Sequence, residues 1–100
     1  MEELRTREVE NLLLTLSKME DCDEIYHFLE DLFTIREIKE SSQRFAVARL
    51  LAAGRSYSAI ERTTGVSATT IARVSKCLSY GSGGYARALE ILSGLTKNPR

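Results

Sequence analysis

The side chains best suited to chemistry lie between Ser56 and Leu78, a stretch that combines hydroxyls, small residues and isolated cations. Its second half would present a helical face that is small near its start and basic further along. Small side chains permit close approach to base edges, and cations bind phosphates. The face is therefore predicted to contact double-stranded DNA, through Ala68, Thr69, Ala72, Arg73 and Lys76.

Three flanking residues would extend this contact along the DNA backbone. Arg55 would meet a phosphate, and the hydroxyls of Ser56 and Ser67 could donate hydrogen bonds to phosphate oxygens. A short pair of helices also occurs in many small α-helical domains that bind no nucleic acid. The spacing alone therefore leaves a purely structural pair of helices open.

The elements that position these residues are two short helices joined at Gly65. Gly65 can adopt a positive φ and end the first helix, and Ser67 is a suitable N-cap for the second. The apolar residues that would hold the two helices together are Ile60, Val66, Ile71, Val74 and Leu78. Together these signals predict a helix-turn-helix at about residues 56–78. Glu61 stands where a small residue is usual, and this departure counts against the motif unless the side chain lies at the rim of the seam.

The net charge of zero conceals two halves of opposite sign. Residues 1–40 carry 5 Lys/Arg against 12 Asp/Glu, whereas residues 41–80 carry 6 Lys/Arg against Glu61 alone. A basic segment that coincides with a helix-turn-helix pattern is typical of proteins that bind nucleic acid. The acidic segment would repel DNA, so we expect it to face away or to take part in dimer contacts.

Length and composition predict one all-α domain over residues 1–100 with a modest core. No apolar run approaches membrane-spanning length and the charged start is unlike a signal peptide, so a cytoplasmic protein without a membrane partner is expected. Cys22 and Cys77 lack metal-ligand spacing and are expected to be free thiols. No metal site, cofactor or nucleophile–base pair is indicated, and we do not expect an enzyme.

Apolar periodicity predicts further helices on both sides of this pair. One spans residues 4–19, and a second begins after Asp21 or Asp23. Thr34 and Glu37 have capping-box spacing at the start of a third helix, from about Ile35 to Ala53, with a break expected near residues 41–42. A last helix follows the glycine-rich bend at residues 80–84, and residues 96–100 are expected to fray.

The apolar stripes of the first, second and last helices are wide for a monomer of this size. Short chains bury little surface, and two copies can share one core. A two-fold dimer would also place two recognition helices about 34 Å apart, one turn of DNA. The alternative is that the helices close on themselves in a monomer. The dimer is the favoured interpretation.

The run from Gly65 to Arg73, followed by the run from Leu78 to Tyr85, resembles the Trp repressor family, and most closely its YerC/YecD-type members. The resemblance covers nearly the whole chain and is thinnest over the first forty residues. It implies an all-α, six-helix intertwined homodimer in which helix-turn-helix heads flank a shared core. It also implies a sequence-specific DNA-binding transcriptional regulator.

The same resemblance implies a small-molecule pocket. Arg44 and Arg73 match the two arginines between which tryptophan sits, and Thr34 and Thr70 match polar groups of that pocket. Two guanidinium planes can enclose an aromatic ring or bind a carboxylate. At two further pocket positions the chain departs from the family pattern, with Val74 in place of glycine and Cys77 in place of serine. These departures favour a different effector, or none, over tryptophan.

Two departures on the DNA side indicate that the Trp repressor's operator does not carry over. Ser58 and Glu61 stand where the Trp repressor has basic residues on its first reading helix. The leading hypothesis is thus a homodimeric DNA-binding regulator with an operator of its own. The alternative is a helical protein-interaction module that keeps the fold and has lost DNA binding.

Overall fold

The computed structural model describes residues 4–96, and over that range it contains six α-helices and no strand. The helices are α1 (Arg7–Ser17), α2 (Cys22–Leu32), α3 (Ile35–Ala52), α4 (Tyr57–Thr64), α5 (Ala68–Tyr80) and α6 (Gly84–Thr96). The all-α prediction is confirmed for this part of the chain. The expected fraying of the C-terminus concerns residues that lie, apart from the backbone of Thr96, outside the described range.

The chain divides into two compact units, one up to Ile38 and one from Lys39 onward. In the first unit, the Thr6 hydroxyl accepts a hydrogen bond from the N–H of Val9, so α1 begins later than the predicted residue 4. Asp21 caps α2, which confirms one of the two predicted start positions. No described side chain of this unit is buried within a single chain. Its helices therefore form without a core of their own.

The start of α3 is a reciprocal capping box, as its spacing predicts. The Thr34 N–H donates to Glu37 Oε1 at 2.9 Å, and the Glu37 N–H donates to Thr34 Oγ1 at 3.0 Å. The break expected near residues 41–42 was wrong, because α3 is continuous through both serines. The Ser42 hydroxyl instead donates to the Lys39 carbonyl at 2.9 Å, which accommodates the serine within the helix.

The end of α3 is closed by Gly54, whose φ of 83° is readily available only to glycine. The Gly54 N–H donates to the Leu51 carbonyl at 3.0 Å, and the Arg55 N–H donates to the Leu50 carbonyl at 3.1 Å. This pair of bonds is a Schellman motif. It reverses the chain direction and leads it into α4.

The second unit contains all of the buried core found in the described residues. The core consists of Val47, Ala48, Leu50, Ile60, Ile71 and Val74. These residues come from α3, α4 and α5, so the three helices are held by one apolar cluster. Burying each large aliphatic side chain contributes about 1.5–3 kcal/mol. No helix within residues 4–96 is long and apolar enough to cross a membrane.

Candidate nucleic-acid interface

Local hydrogen bonds cap the start of α4, the end of α4 and the start of α5. The Ala59 N–H donates to Ser56 Oγ at 3.2 Å, and the Thr70 N–H donates to Ser67 Oγ at 3.3 Å. Gly65 ends α4 with a φ of 75°, and its N–H donates to a carbonyl of the preceding turn at 2.8 Å. The predicted glycine turn and serine N-cap are thus confirmed.

Apolar contacts fix how the two helices pack. Ile60 of α4 and Ile71 of α5 are 0% exposed, and Val74 is 2% exposed. Val66, in the connecting turn, packs partly buried against this core, and its N–H donates to Thr64 Oγ1 at 3.1 Å. Glu61 is exposed, so its side chain does not occupy the seam between the two helices. The pair is therefore a firmly packed unit with two solvent-facing helix surfaces.

The eight residues predicted to contact DNA are all exposed, namely Arg55, Ser56, Ser67, Ala68, Thr69, Ala72, Arg73 and Lys76. Two of them also serve the fold, since Ser56 and Ser67 cap the helices. The Ser67 hydroxyl donates to Thr70 Oγ1 at 3.2 Å, so a bond to phosphate would require that hydroxyl to rotate. The other six side chains have no such structural task among the described residues.

The cations of this region are free of carboxylate partners within residues 4–96. They are Arg44, Arg49, Arg55, Arg62, Arg73 and Lys76. Among these six, and counting the described residues as partners, only Arg44 makes a side-chain hydrogen bond, to Ser41 Oγ at 3.4 Å. Arginines elsewhere in the chain do pair, for example Arg5 with Glu10 at 2.7 Å and Arg87 with Glu90. Unpaired exposed cations leave a positive potential that an anionic partner can neutralise.

Arg62 was missed among the predicted contact residues. It is exposed in the last turn of α4, with no partner in the described part of the chain. The signal was available, because Arg62 belongs to the basic segment and occupies a helix of the predicted pair. Its position gives α4 a cation of its own.

A cavity of about 260 Å³ separates α3 from the start of α5. It is lined by Glu40, Gln43, Arg44, Val66, Ser67, Thr70 and Arg73. Three residues of the predicted ligand pocket, Arg44, Thr70 and Arg73, therefore share one cavity. Glu40 and Gln43 were missed, although each is within one helical turn of Arg44 on α3.

Three other residues of the predicted pocket occupy different places. Val74 is part of the buried core, and Thr34 caps α3 in the first unit. Cys77 is exposed and lines a second cavity with Gly81, Ser82, Gly84 and Tyr85. Their role toward a ligand stays a prediction. Cys22 and Cys77 are free thiols, and no metal-binding group of three or more His, Cys, Asp or Glu occurs within residues 4–96.

Known proteins similar to this chain were found by family model, by sequence and by structure. The family model of the Trp repressor protein matches residues 7–93. The uncharacterised protein YerC of Bacillus subtilis strain 168 is 42% identical over 90 residues, which cover 90% of this chain and 86% of that protein.

Two solved structures also match. A TrpR-like protein from Eubacterium eligens superposes with a TM-score of 0.85 at 46% identity, covering 90% of this chain and 93% of the other. A Staphylococcus aureus protein described as a candidate Trp repressor gives a TM-score of 0.84 at 34% identity, covering 90% of each chain. The chain therefore belongs to the Trp repressor family and is of the YerC type.

Proposed function

We propose that this chain is a sequence-specific, DNA-binding transcriptional regulator in which α4 and α5 act as a helix-turn-helix. The observation that carries the proposal is the unpaired positive charge exposed on and beside a firmly packed helix pair. If carboxylates of the chain itself neutralised these cations, little positive potential would remain to attract an anionic partner. Membership of the Trp repressor family supports the same function.

In this proposal the start of α5 enters the major groove. Ala68, Thr69 and Ala72 approach base edges, where methyl groups can contact thymine. Arg55, Arg73 and Lys76 neutralise phosphates and release counterions, which makes the affinity depend on salt. Base discrimination thus comes from the small residues, and most of the affinity comes from the cations.

The active form in this proposal is a homodimer in which the whole chain, residues 1–100, serves as one domain. The first unit leaves large apolar side chains exposed within a single chain, including Leu14 at 54% and Ile35 at 80%. A second copy would cover these faces and supply the core that the unit lacks. The two α5 helices would then meet DNA about 34 Å apart.

The cavity beside α5 supports a modest effector hypothesis. Arg44 and Arg73 could hold a carboxylate or a flat ring, and Thr70 could contribute a hydrogen bond. Val74 and Cys77, which the family resemblance also assigns to the pocket, do not line this cavity. Since Val74 and Cys77 depart from the family pattern, any effector is proposed to be a small molecule other than tryptophan. Its binding and the affinity for DNA would be reciprocally coupled.

Replacing Lys76 by Ala tests the phosphate contacts. Binding should weaken about equally on all DNA sequences, and the slope of log affinity against log salt should fall by about one unit. Lys18→Ala is the matched control, because it removes the same charge from an exposed position of the first unit. Fluorescence anisotropy of a labelled duplex measures the affinity of each variant and its dependence on salt. Equal slopes for the wild type and Lys76→Ala would contradict the assignment.

A protein-interaction module is the second candidate, favoured by the acidic, apolar-exposed first unit. A purified chain that retains no genomic DNA fragment at low salt would support that function instead. Either role is consistent with a cytoplasmic protein, and neither involves catalysis.

A further inference from the structure

Glu61 is a carboxylate that the basic region does not explain. It is the sole Asp or Glu among residues 41–80 and is exposed on α4. Its carboxylate makes no hydrogen bond or ion pair with any described residue, although Arg62 is its immediate neighbour in the chain. Within residues 4–96 it is therefore an unneutralised negative charge on an otherwise positive helix pair.

Fold stability does not account for this residue. Glu61 lies in the C-terminal half of α4, where a negative charge opposes the helix dipole. The turn uses only its backbone carbonyl, which accepts the Gly65 N–H at 2.8 Å. Any residue could supply that carbonyl, so the carboxylate itself serves no described contact.

The backbone that carries the carboxylate is held firmly. The preceding residue, Ile60, is fully buried in the seam between α4 and α5. Ser58, Glu61 and Arg62 are exposed at i, i+3 and i+4 spacing and so form one strip on α4. A side chain on such a strip is presented by a rigid helix rather than by a loop.

We propose that Glu61 is a specificity-determining residue that selects for cytosine at one position of each DNA half-site. The inference rests on the DNA-binding function proposed above. A carboxylate only accepts hydrogen bonds, so phosphate oxygens repel it, whereas the N4 amino group of cytosine can donate to it in the major groove. Glu61 thus gains a contact where cytosine is present and weakens binding where it is not.

The test is selection of bound duplexes from a random pool by the wild type, Glu61→Gln, Glu61→Ala and Glu20→Gln. Glu20→Gln is the matched control, since it removes one negative charge from an exposed position of the first unit. Glu61→Ala removes the acceptor and should lose roughly tenfold in preference for the cytosine, whereas Glu61→Gln keeps one acceptor oxygen and should lose less. Both variants should bind random-sequence duplex more tightly. Glu20→Gln should keep the wild-type preference. Circular dichroism confirms that each variant is folded.

The outcomes separate this inference from the function on which it rests. If the Glu61 variants select the same bases as the wild type, with or without a uniform gain in affinity, Glu61 does not discriminate and the inference is overturned. If the wild type itself selects no sequence, the proposed function fails first. A cytosine preference lost in Glu61→Ala and kept in Glu20→Gln supports the inference.

Discussion

The two units of this chain solve the problem of burying apolar residues in different ways. The second unit buries six residues in a cluster that joins α3, α4 and α5. The first unit buries none of its described side chains within one chain, although α1 and α2 are both amphipathic. Apolar periodicity is thus necessary for a helix that packs, yet it does not say which molecule supplies the partner surface.

Charges are also satisfied differently along the chain. Arg5 donates to both carboxylate oxygens of Glu10, at 2.7 and 3.1 Å, and Arg87 pairs with Glu90. Within the part of the chain that the structure describes, the cations of residues 41–80 have no carboxylate partner. Local pairing leaves little field for an outside partner, whereas the unpaired set is available for one.

The largest expected effect separates the two units by their cores. Ile71→Ala removes a fully buried side chain and should lower the free energy of unfolding by about 2–5 kcal/mol. Ile35→Ala, at a position 80% exposed within one chain, should cost less, and its cost should depend on protein concentration if Ile35 packs in the proposed dimer. Urea titrations at several protein concentrations measure both. Equal, concentration-independent losses would remove the distinction between the units.

A charge placed on the first unit should break the proposed dimer. Leu14→Asp puts a carboxylate on the exposed apolar face of α1 and should weaken self-association by roughly a hundredfold, because an unpaired buried charge is costly. Asn11→Asp adds the same charge at a polar, exposed position of α1 and serves as the control. Analytical ultracentrifugation reports the result. A wild type that sediments as a monomer, or a Leu14→Asp variant that associates normally, would contradict the proposed dimer.

A smaller effect tests the turn that organises the second unit. Gly65→Ala should lower the free energy of unfolding by about 1 kcal/mol, because a φ of 75° strains an L residue. Space is not the cause, since the Cβ of the alanine would meet no atom within 4 Å. Gly94→Ala, in α6 without a positive φ and with equally open space, should instead stabilise by roughly 0.5 kcal/mol. Thermal unfolding shows whether each variant is more or less stable than the wild type. A Gly65→Ala protein as stable as the wild type would show that the turn tolerates a side chain.

The smallest effect concerns the ion pair of the first unit. The hydrogen bond from Arg5 is the main cause that lowers the pKa of Glu10. A carboxyl group whose pKa is lowered in the folded state stabilises the fold at pH values above its ordinary pKa. This contribution to the free energy of unfolding is lost as the pH falls through the folded-state pKa. Arg5→Ala should raise the pKa of Glu10 toward its ordinary value, as followed by NMR titration. Unchanged titration midpoints would mean that the pair does not persist in solution.

Structural features that depend on a few neighbouring residues could be predicted from the sequence. The capping box at Thr34, the caps at Asp21 and Ser67 and the turn at Gly65 each depend on one turn of chain, and all four are present. The start of α1 was placed too early because its apolar stripe gives no terminus, and the Thr6 cap was overlooked.

The candidate site was less predictable because it combines separate segments. The family resemblance assigns Arg44 and Arg73 to one pocket, and both line one cavity, although their role toward a ligand stays a prediction. It could not indicate that Cys77, one helical turn beyond Arg73, lines another cavity, since that depends on where the loop before α6 passes. The exposure of Glu61 likewise depends on the packing of α4 against α5, which the sequence pattern leaves open.

The decisive experiment for DNA recognition is selection of bound sequences from random duplex DNA by the full chain. A homodimeric DNA-binding regulator should select a palindrome whose half-sites are centred about one helical turn apart, and its affinity for that site should fall as salt rises. Recovery of no enriched sequence at low salt would contradict this proposed function, and the unpaired cations of the second unit would then need another partner.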